Sequence, residues 1–444
     1  MKLKHARLIS NPFLIWAGLM VLSLSFLSAN AQAQLTIEIN ESYENALPIA
    51  IAPLEWKGAT SKAPEDLAEV IRQNLKRSGK FNPIAPNRMP AAATSIDAIN
   101  FNQWRELDVD NLLMGQITDQ GNGRYQIEMR FVDVLRKSQV MGKRWDNIPT
   151  NQLRQIAHIM SDLIYEELTG VRGAFNTQIA YVTMKTTNKK RQYTLEVADA
   201  DGFNPKPILR SSQPIMSPAW SPDSKKIAYV SFEKGRSHII VQSLDGKYRE
   251  TLAQFKGING APAFSPDGKK LAMTLSKGGS ADIYVMDLAT RALTRMTRHW
   301  SIETEAAWSE DSRSLFFNSD RRGQPQIFQV VLDTAEVERI TFEGRYNANP
   351  EVSPDGRFIA MVHSASGFHI ALQNLVTGEF NVLTRSFLDE SPTFSPNGEM
   401  ILYAMNQGGK GKLSVVSLDG TTTQTLSVKD GQVREPAWGP YLQR

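Results

Sequence analysis

Hydrophobic and polar positions follow two different rhythms along the chain, and the change lies near residue 172. Between residues 46 and 172, short apolar runs alternate with longer stretches whose apolar residues recur every three or four positions. The run 47–56 predicts one buried strand, and residues 112–118, 124–134 and 139–145 predict three more. One-sided helices beside a sheet indicate a two-layer α/β domain.

Two segments of this region have the helical period. The apolar positions of residues 61–81 fall on one face of a helix, for which Ser61 is the predicted N-cap and Gly79 the predicted end. The second helix covers residues 151–168 and ends before Gly170. His158 falls on its polar side, where we expect a solvated side chain.

From residue 173 onward, the pattern is a repeat with steps of 44, 44, 44, 42 and 44 residues. Its copies are PAWSPDSKKIAYV at Pro218, PAFSPDGKKLAMT at Pro262, AAWSEDSRSLFFN at Ala306, PEVSPDGRFIAMV at Pro350, PTFSPNGEMILYA at Pro392 and the short PAWGP at Pro436. A period of this length with several short strands per unit is typical of the blades of a β-propeller.

Each part of the repeat has a predicted structural task. We expect the aromatic residue to fill the gap between neighbouring blades, at Trp220, Phe264, Trp308, Phe394 and Trp438. The Ser-Pro-Asp-Gly stretch has the residues of a tight turn. Its aspartates, which are Asp223, Asp267, Asp311 and Asp355, are therefore expected to be turn residues rather than metal ligands.

The two ends of the repeat region complete each other. Residues 178–184 and 193–202 match the second and third strands of a blade but have no first strand before them, whereas PAWGP is a first strand with nothing after it. We therefore expect six blades, one of them closed by strands from both ends. The fold predicted for the whole chain is α+β and multidomain, with an N-terminal two-layer α/β domain of residues 46–172 and a six-bladed β-propeller of residues 173–444.

The first residues predict export. Lys2, Lys4 and Arg7 precede an apolar run at 13–27, and small residues follow it, which is typical of a cleaved signal peptide, here residues 1–33. The formal net charge is +4 and the chain contains no long run of like charges, so nucleic acid is not an expected partner. The absence of cysteine excludes disulfides, cysteine metal sites and a cysteine nucleophile.

Three segments resemble the TolB family of the Tol-Pal system: ALPIAIAPLEW in the first domain, RYNANPEVSPDGRFIAMV in the propeller and the ending REPAWGPYLQR. The resemblance implies a periplasmic binding protein, monomeric and without catalytic residues, cofactor or metal. Its implied partners are the outer-membrane lipoprotein Pal, through which it would associate peripherally with the outer membrane, and the inner-membrane protein TolA. The implied role is to keep the outer membrane intact and to support its invagination during cell division.

The resemblance also implies where these partners bind. Pal would dock at the central opening of the propeller, on the segments that lead into the first strand of each blade. The residues predicted to contact Pal are Met216, Asn259, Gly260, Ala261, Glu303, Thr304, Glu305, Asn347, Asn349, Asp389, Glu390, Arg434 and Glu435.

TolA would bind the extended N-terminal segment of residues 34–45. Within it, Leu35, Ile37 and Ile39 alternate with polar residues such as Glu38, as in a strand that adds to a partner's sheet edge. On periodicity alone, an ordinary strand that completes the first domain explains the pattern equally well.

Two enzyme classes are alternatives for a propeller of this kind. In a calcium-dependent hydrolase of the lactonase type, channel carboxylates and amides hold the ion, and here these would be Glu303, Glu305, Asn347, Asn349, Glu390 and Glu435. A propeller peptidase is disfavoured because the sequence has no G-x-S-x-G motif.

Overall fold

The computed structural model describes residues 35–40, 46–90, 95–428 and 431–442. The predicted signal peptide of residues 1–33 lies outside these ranges. Within them the chain forms three α-helices and 31 strands. None of the described helices combines the length and the hydropathy that crossing a membrane requires.

The N-terminal domain is built on a mixed sheet. After β1 (Leu35–Asn40), which pairs elsewhere, its strands are β2 (Leu47–Ile51), β3 (Glu55–Lys57), β4 (Phe81–Pro83), β5 (Asn111–Gly121), β6 (Arg124–Asp133) and β7 (Ser138–Pro149). The order is β4-β2-β5-β6-β7, with β3 beside β5. The stretch 47–56 therefore forms parts of two strands instead of the one predicted, because Pro53 between them has no N–H for the ladder.

Three helices accompany this sheet: α1 (Leu67–Arg77), α2 (Phe101–Arg105) and α3 (Leu153–Thr169). The predicted N-cap of the first is wrong. Helix α1 begins later, because the Asp66 carboxylate accepts a hydrogen bond from the amide of Glu69 at 3.0 Å and so satisfies one of the free amides of the first turn. Helix α3 ends at Gly170, as predicted, with φ at 73°.

Helices α1 and α3 cover one face of the sheet, where Ile71, Leu75 and Met160 are completely buried. The opposite face carries a smaller apolar cluster around Trp104 of α2 and Val109. The predicted α/β domain is confirmed, with α2 as an additional cover on the second face.

The remainder of the chain forms six four-stranded blades. In chain order, the strands are β8 (Thr177–Thr187), β9 (Lys190–Asp199) and β10 (Lys206–Ser211); β11 (Ile215–Trp220), β12 (Lys226–Ser231), β13 (His238–Ser243) and β14 (Arg249–Ala253); β15 (Asn259–Phe264), β16 (Lys270–Leu275), β17 (Asp282–Asp287) and β18 (Leu293–Arg295); β19 (Glu303–Trp308), β20 (Ser314–Ser319), β21 (Gln326–Val331) and β22 (Val337–Arg339); β23 (Tyr346–Val352), β24 (Phe358–Ser364), β25 (Phe368–Asn374) and β26 (Phe380–Val382); β27 (Asp389–Phe394), β28 (Met400–Gln407), β29 (Lys410–Ser417) and β30 (Thr423–Val428); and β31 (Gln432–Tyr441).

The ring is closed between its two ends. Strand β31 pairs antiparallel with β8, with Val433 opposite Thr183 and Trp438 opposite Ile179, and gives the blade β10-β9-β8-β31. The predicted six-bladed propeller with one composite blade is confirmed.

The repeated motif joins neighbouring blades. The Trp220 indole donates to the carbonyl of Ala437 at 3.0 Å, and the Trp308 indole donates to the carbonyl of Ala263 at 2.9 Å, each on the first strand of the preceding blade. In the turn that follows, the Asp223 carboxylate accepts from the Ser221 hydroxyl at 2.6 Å and from the Lys225 amide at 3.1 Å. The aromatics and aspartates therefore have the structural tasks predicted for them.

Strand β1 does not belong to the first domain. It pairs antiparallel with β30, from Leu35 opposite Val428 to Asn40 opposite Thr423, and becomes the fifth strand of the last blade. The alternative in which this segment completes the α/β sheet is wrong.

The two domains meet through buried charges. The Arg154 guanidinium of α3 donates to Asp201 of the propeller at 2.6 Å and lies 3.7 Å from the centre of the Phe203 ring. His158 is buried beside this pair, where its Nδ1 accepts from the Asn74 side chain at 2.9 Å. The prediction of a solvated His158 is wrong because the polar side of α3 faces the propeller rather than solvent.

Replacing an inter-blade tryptophan should destabilise the fold. Trp308 is 6% exposed and its indole is hydrogen-bonded, so we expect Trp308→Ala to lower the free energy of unfolding by about 3–5 kcal/mol. Trp300, which is 82% exposed, provides the matched control, and Trp300→Ala should change stability by less than about 0.5 kcal/mol. Urea unfolding measures both, and equal effects would contradict the inter-blade role.

Candidate functional site

The first strand of every blade contains the same backbone irregularity near one mouth of the central channel. Strand pairing is shifted there in all six blades. One residue of each shift has positive φ, between 44° and 56°: Ser217, Ala261, Glu305, Asn349, Ser391 and Glu435. A positive φ is strained in residues other than glycine, and it persists only where surrounding contacts hold the backbone in that conformation.

Hydrogen bonds between blades hold this strained ring. The amide of Ser217 donates to the Glu435 carboxylate of the preceding blade at 3.0 Å. The amide of Asn349 donates in the same way to the Asn318 side chain at 2.8 Å. The mouth is therefore a rigid collar in which some polar side chains already have structural partners.

The channel along the first strands holds a cavity of about 850 Å³. Its carboxylates are Glu305, Glu310, Glu351, Asp389, Glu390 and Glu435, whereas the described lining residues include no lysine, arginine or histidine. Pro222, Pro266, Pro354 and Pro396 lie in the lining at the turns that end the first strands. The charge of the cavity is therefore entirely negative.

Burial and mutual repulsion act on these carboxyls. Burial raises the pKa of Glu305, whose carboxylate also accepts from the Asn318 side chain. Burial is the largest cause that raises the pKa of Glu435, and the charges of Glu390 and Glu305 raise it further. A positive group that entered the channel would relieve both effects.

Glu351 is the one lining carboxylate of its layer. The same position of the repeat holds Ala219, Ala263, Ala307, Thr393 and Ala437 in the other five blades. Burial raises the pKa of Glu351 to about 7. We missed this residue in the sequence, although the repeat alignment carried the signal, since Glu351 is the only acidic side chain in that column.

The predicted Pal contacts fall into three groups. The first group lines the channel and comprises Met216, Ala261, Glu305, Asn349, Asp389, Glu390 and Glu435. The other residues do not line it and form two further groups, which are Gly260, Thr304 and Arg434, and Asn259, Glu303 and Asn347. Within the second group, Gly260 and Thr304 are half-buried in the first strands and Arg434 is exposed. Asn259, Glu303 and Asn347 form the third group because they are completely buried.

These buried residues hold the loops that enter the first strands. Asn259 donates to the carbonyl of Phe255 at 2.8 Å, and Asn347 donates to the carbonyl of Glu343 at 2.7 Å. The Glu303 carboxylate pairs with Arg321. A contact role for Asn259, Glu303 and Asn347 is at odds with this burial. Asp389 is also completely buried, and its carboxylate accepts a hydrogen bond from the Thr384 hydroxyl. A Pal contact through the Asp389 carboxylate is therefore also at odds with its burial.

Large apolar side chains lie along one side of the mouth. They lie at the loops that join the last strand of one blade to the first strand of the next, and they are Ile258, Trp300, Ile302, Phe342 and Phe387, each at least 51% exposed. We call these five residues the apolar rim. Sequence reasoning missed them because loop residues follow no periodicity that separates an exposed aromatic from a buried one.

One described group of side chains has the spacing of a metal site. Ligand atoms of His158, Asp199 and Asp201 lie within 4.8 Å of one another at the domain interface. The Asn74 amide, held by Arg77, donates to Nδ1 of His158, so the ring proton is on Nε2, which then has no lone pair for a metal. Because Arg154 already bonds Asp201, we assign this cluster to the domain interface.

The calcium site of a lactonase-like hydrolase is not assembled as predicted. Of its six expected ligands, Glu303 and Asn347 are buried at the start of their strands, and the Glu305 and Glu435 carboxylates already bond side-chain and backbone groups at the mouth. Glu390 and Asn349 remain in the lining.

The raised pKa of Glu351 predicts that the stability of the protein falls as the pH rises. The native state holds this proton up to a pKa of about 7, whereas the ordinary value is 4.5, so ionisation in the channel lowers stability as pH rises through that window. We expect Glu351→Gln to raise the free energy of unfolding by about 1–3 kcal/mol at pH 8 and to leave it unchanged at pH 4. Urea unfolding at both pH values measures this, with Glu336→Gln in an exposed turn as the control. A Glu351→Gln variant no more stable than wild type at pH 8 would contradict it.

Comparisons with known proteins agree with this architecture. Residues 35–140 match the TolB amino-terminal domain, and residues 165–442 match the TolB beta propeller domain. A crystal structure of TolB from Acinetobacter baumannii is 41% identical, with a TM-score of 0.84, over 92% of this chain and 100% of that one.

Two relatives are similar over nearly their whole length. The Tol-Pal system protein TolB of Hydrogenovibrio crunogenus is 69% identical over 417 residues, which cover 94% of this chain and 96% of that protein. Its counterpart from Thioalkalivibrio sulfidiphilus is 54% identical over 95% of this chain and 98% of that protein. With both domain matches in chain order, the chain belongs to the TolB family.

Proposed function

We propose that this protein is a periplasmic, non-enzymatic binding component of the Tol-Pal system that links Pal, at the mouth of the propeller, to TolA, at the N-terminal segment. The observation that carries the proposal is the apolar rim beside the acidic channel. Through Pal, the protein associates peripherally with the outer membrane and supports its integrity and its invagination at division.

The rim has the chemistry of a protein-docking surface. Trp300 is 82%, Phe387 77% and Phe342 70% exposed, and contiguous apolar surface of this kind marks interaction sites. Aromatic side chains are also enriched among the residues that dominate binding energy. The mouth carboxylates that bond neighbouring blades give this surface a fixed shape, which reduces the entropy lost on binding.

Strand β1 supports the proposal for TolA. Its described pairing is with the outer edge of the last blade, through main-chain register with β30. Pairing of this kind uses backbone groups that any sheet edge offers, so the same segment can add to the edge of a partner sheet. Leu35, Ile37, Glu38 and Ile39 are the residues that would then face TolA.

Introducing charge into the rim should weaken Pal binding. We expect Trp300→Asp with Phe387→Asp to raise the Kd for purified Pal at least tenfold, since the new carboxylates would be desolvated in an apolar contact. Val376 is also 82% exposed but lies in the turn between β25 and β26, at the other end of the blade, so Val376→Asp should leave the Kd unchanged. Titration calorimetry provides both values, and an unchanged Kd for the double variant would remove the rim from the docking surface.

Removing the N-terminal segment should abolish TolA binding. Mature protein without residues 34–44 should keep its affinity for Pal but show no heat of binding with the TolA periplasmic domain, because the pairing strand is gone. Binding of TolA by the truncated protein would assign the TolA site elsewhere.

A further inference from the structure

The negative charge of the channel lining is not balanced by cationic side chains among the described residues of that lining. Six carboxylates line the cavity, and the described lining residues include no cationic side chain. Arg321, in a loop at the same end of the blades, is already paired with the buried Glu303. Arg434 stands at the mouth and its charge lowers the pKa of Glu435, but its side chain is exposed and does not line the cavity.

Only part of this negative charge has a structural use. Glu305 and Glu435 bond the neighbouring blade or strand, and Asp389 is fixed by Thr384 and Ser386. Glu310, Glu351 and Glu390, in contrast, have no hydrogen bond or ion pair with another described residue, and of these three Glu310 lies at the opposite mouth. Glu351 and Glu390 lie on the first strands of adjacent blades, β23 and β27, where Glu390 stands at the mouth and Glu351 stands three repeat positions deeper in the channel. These two carboxylates are therefore available to a ligand.

The space around them fits a side chain. Five of the six residues in the Glu351 layer are alanine or threonine, which leaves the lumen open, and the cavity of about 850 Å³ is far larger than one ion needs. A calcium ion requires six to eight oxygen ligands at about 2.3–2.6 Å, which is more than the Glu351 and Glu390 carboxylates supply.

The apolar rim indicates what kind of ligand supplies the positive charge that the channel lacks. A protein surface seated on the apolar rim would exclude water from the mouth, and attraction between opposite charges is stronger in such surroundings. Charge complementarity therefore favours a long cationic side chain on the docked surface, whose aliphatic stem passes the rim and whose head reaches the carboxylates.

We propose that the protein docked on the rim inserts a lysine or arginine side chain into the channel, where Glu351 and Glu390 bind its charge. This inference rests on the proposed Pal docking and specifies the chemistry that the partner must present. It makes Glu351 and Glu390 the centre of the interface and the rim the apolar border beside them.

The test compares three proteins by titration calorimetry with Pal, at pH 8 and in the presence of EDTA. The Glu351→Gln, Glu390→Gln double variant should bind Pal with a Kd at least tenfold higher than wild type. Glu310→Gln, which removes a carboxylate at the opposite mouth of the same channel, should stay within twofold of wild type. Melting temperatures check that all three proteins are folded.

A second arm identifies the inserted residue. Each lysine and arginine of Pal is replaced singly by methionine, and one replacement should lower affinity for wild type but not for the double variant, as coupled partners do.

The possible results separate the two proposals. If wild type binds Pal and the double variant binds equally well, or if no cationic residue of Pal shows coupling, the insertion is wrong and docking stands. If the double variant differs from wild type only when EDTA is omitted, a metal ion takes the place of the side chain and the insertion is again wrong. If wild type does not bind Pal at all, the docking proposal fails and the insertion fails with it.

Discussion

The pairing of β31 with β8 is the contact on which the rest of the structure depends. It supplies the innermost strand of the composite blade, and without it the ring would present two unpaired strand edges and an open channel. It also brings the end of the propeller to its beginning, beside the first domain. There the Arg172 guanidinium lies 3.8 Å from the centre of the Tyr441 ring, and the Asn397 side chain donates to the Arg172 carbonyl at 3.1 Å.

Ring closure places six similar first strands side by side around the channel, and the side chains on these strands differ in charge and polarity. The backbone irregularity near the mouth occurs in every blade, so the scaffold itself is close to sixfold. The side chains on it are not, since Glu351 has no acidic counterpart in its layer and Glu310 stands where the five other blades have a proline in the lining. The apolar rim is also one-sided, because its members lie at the four loops between the second and the last blade. A nearly symmetric fold therefore presents an asymmetric surface at this mouth.

The acidic residues of the propeller divide according to what they touch. Glu303 and Asp389 are buried at the entry to their strands, Glu435 bonds the next blade, and Asp223 closes a turn. Each of these carboxylates stabilises backbone or a neighbouring side chain that would otherwise lack a partner. Glu351 and Glu390 lack such a task, and this difference separates the carboxylates proposed to bind a ligand from the structural ones. The same division applies at the domain interface, where Asp201 is committed to Arg154.

The architecture follows from the sequence alone, because a packing element that recurs in the fold recurs as a motif in the sequence. The spacing of PAWSPDS and its copies predicted the blades, the unmatched segments at 178–202 and 436–440 predicted the composite blade, and both were right. Only the tertiary structure decided which polar residues face the channel. Asn259, Glu303 and Asn347 stand near the mouth in sequence, but strand register directs them into the loops, whereas Glu351 points into the lumen. The prediction for His158 failed for a related reason, since Asn74 of α1 and Asp201 of the propeller, which lie beside it, are distant in the chain. Burial by residues distant in the chain depends on how the elements are assembled, and local periodicity does not encode it.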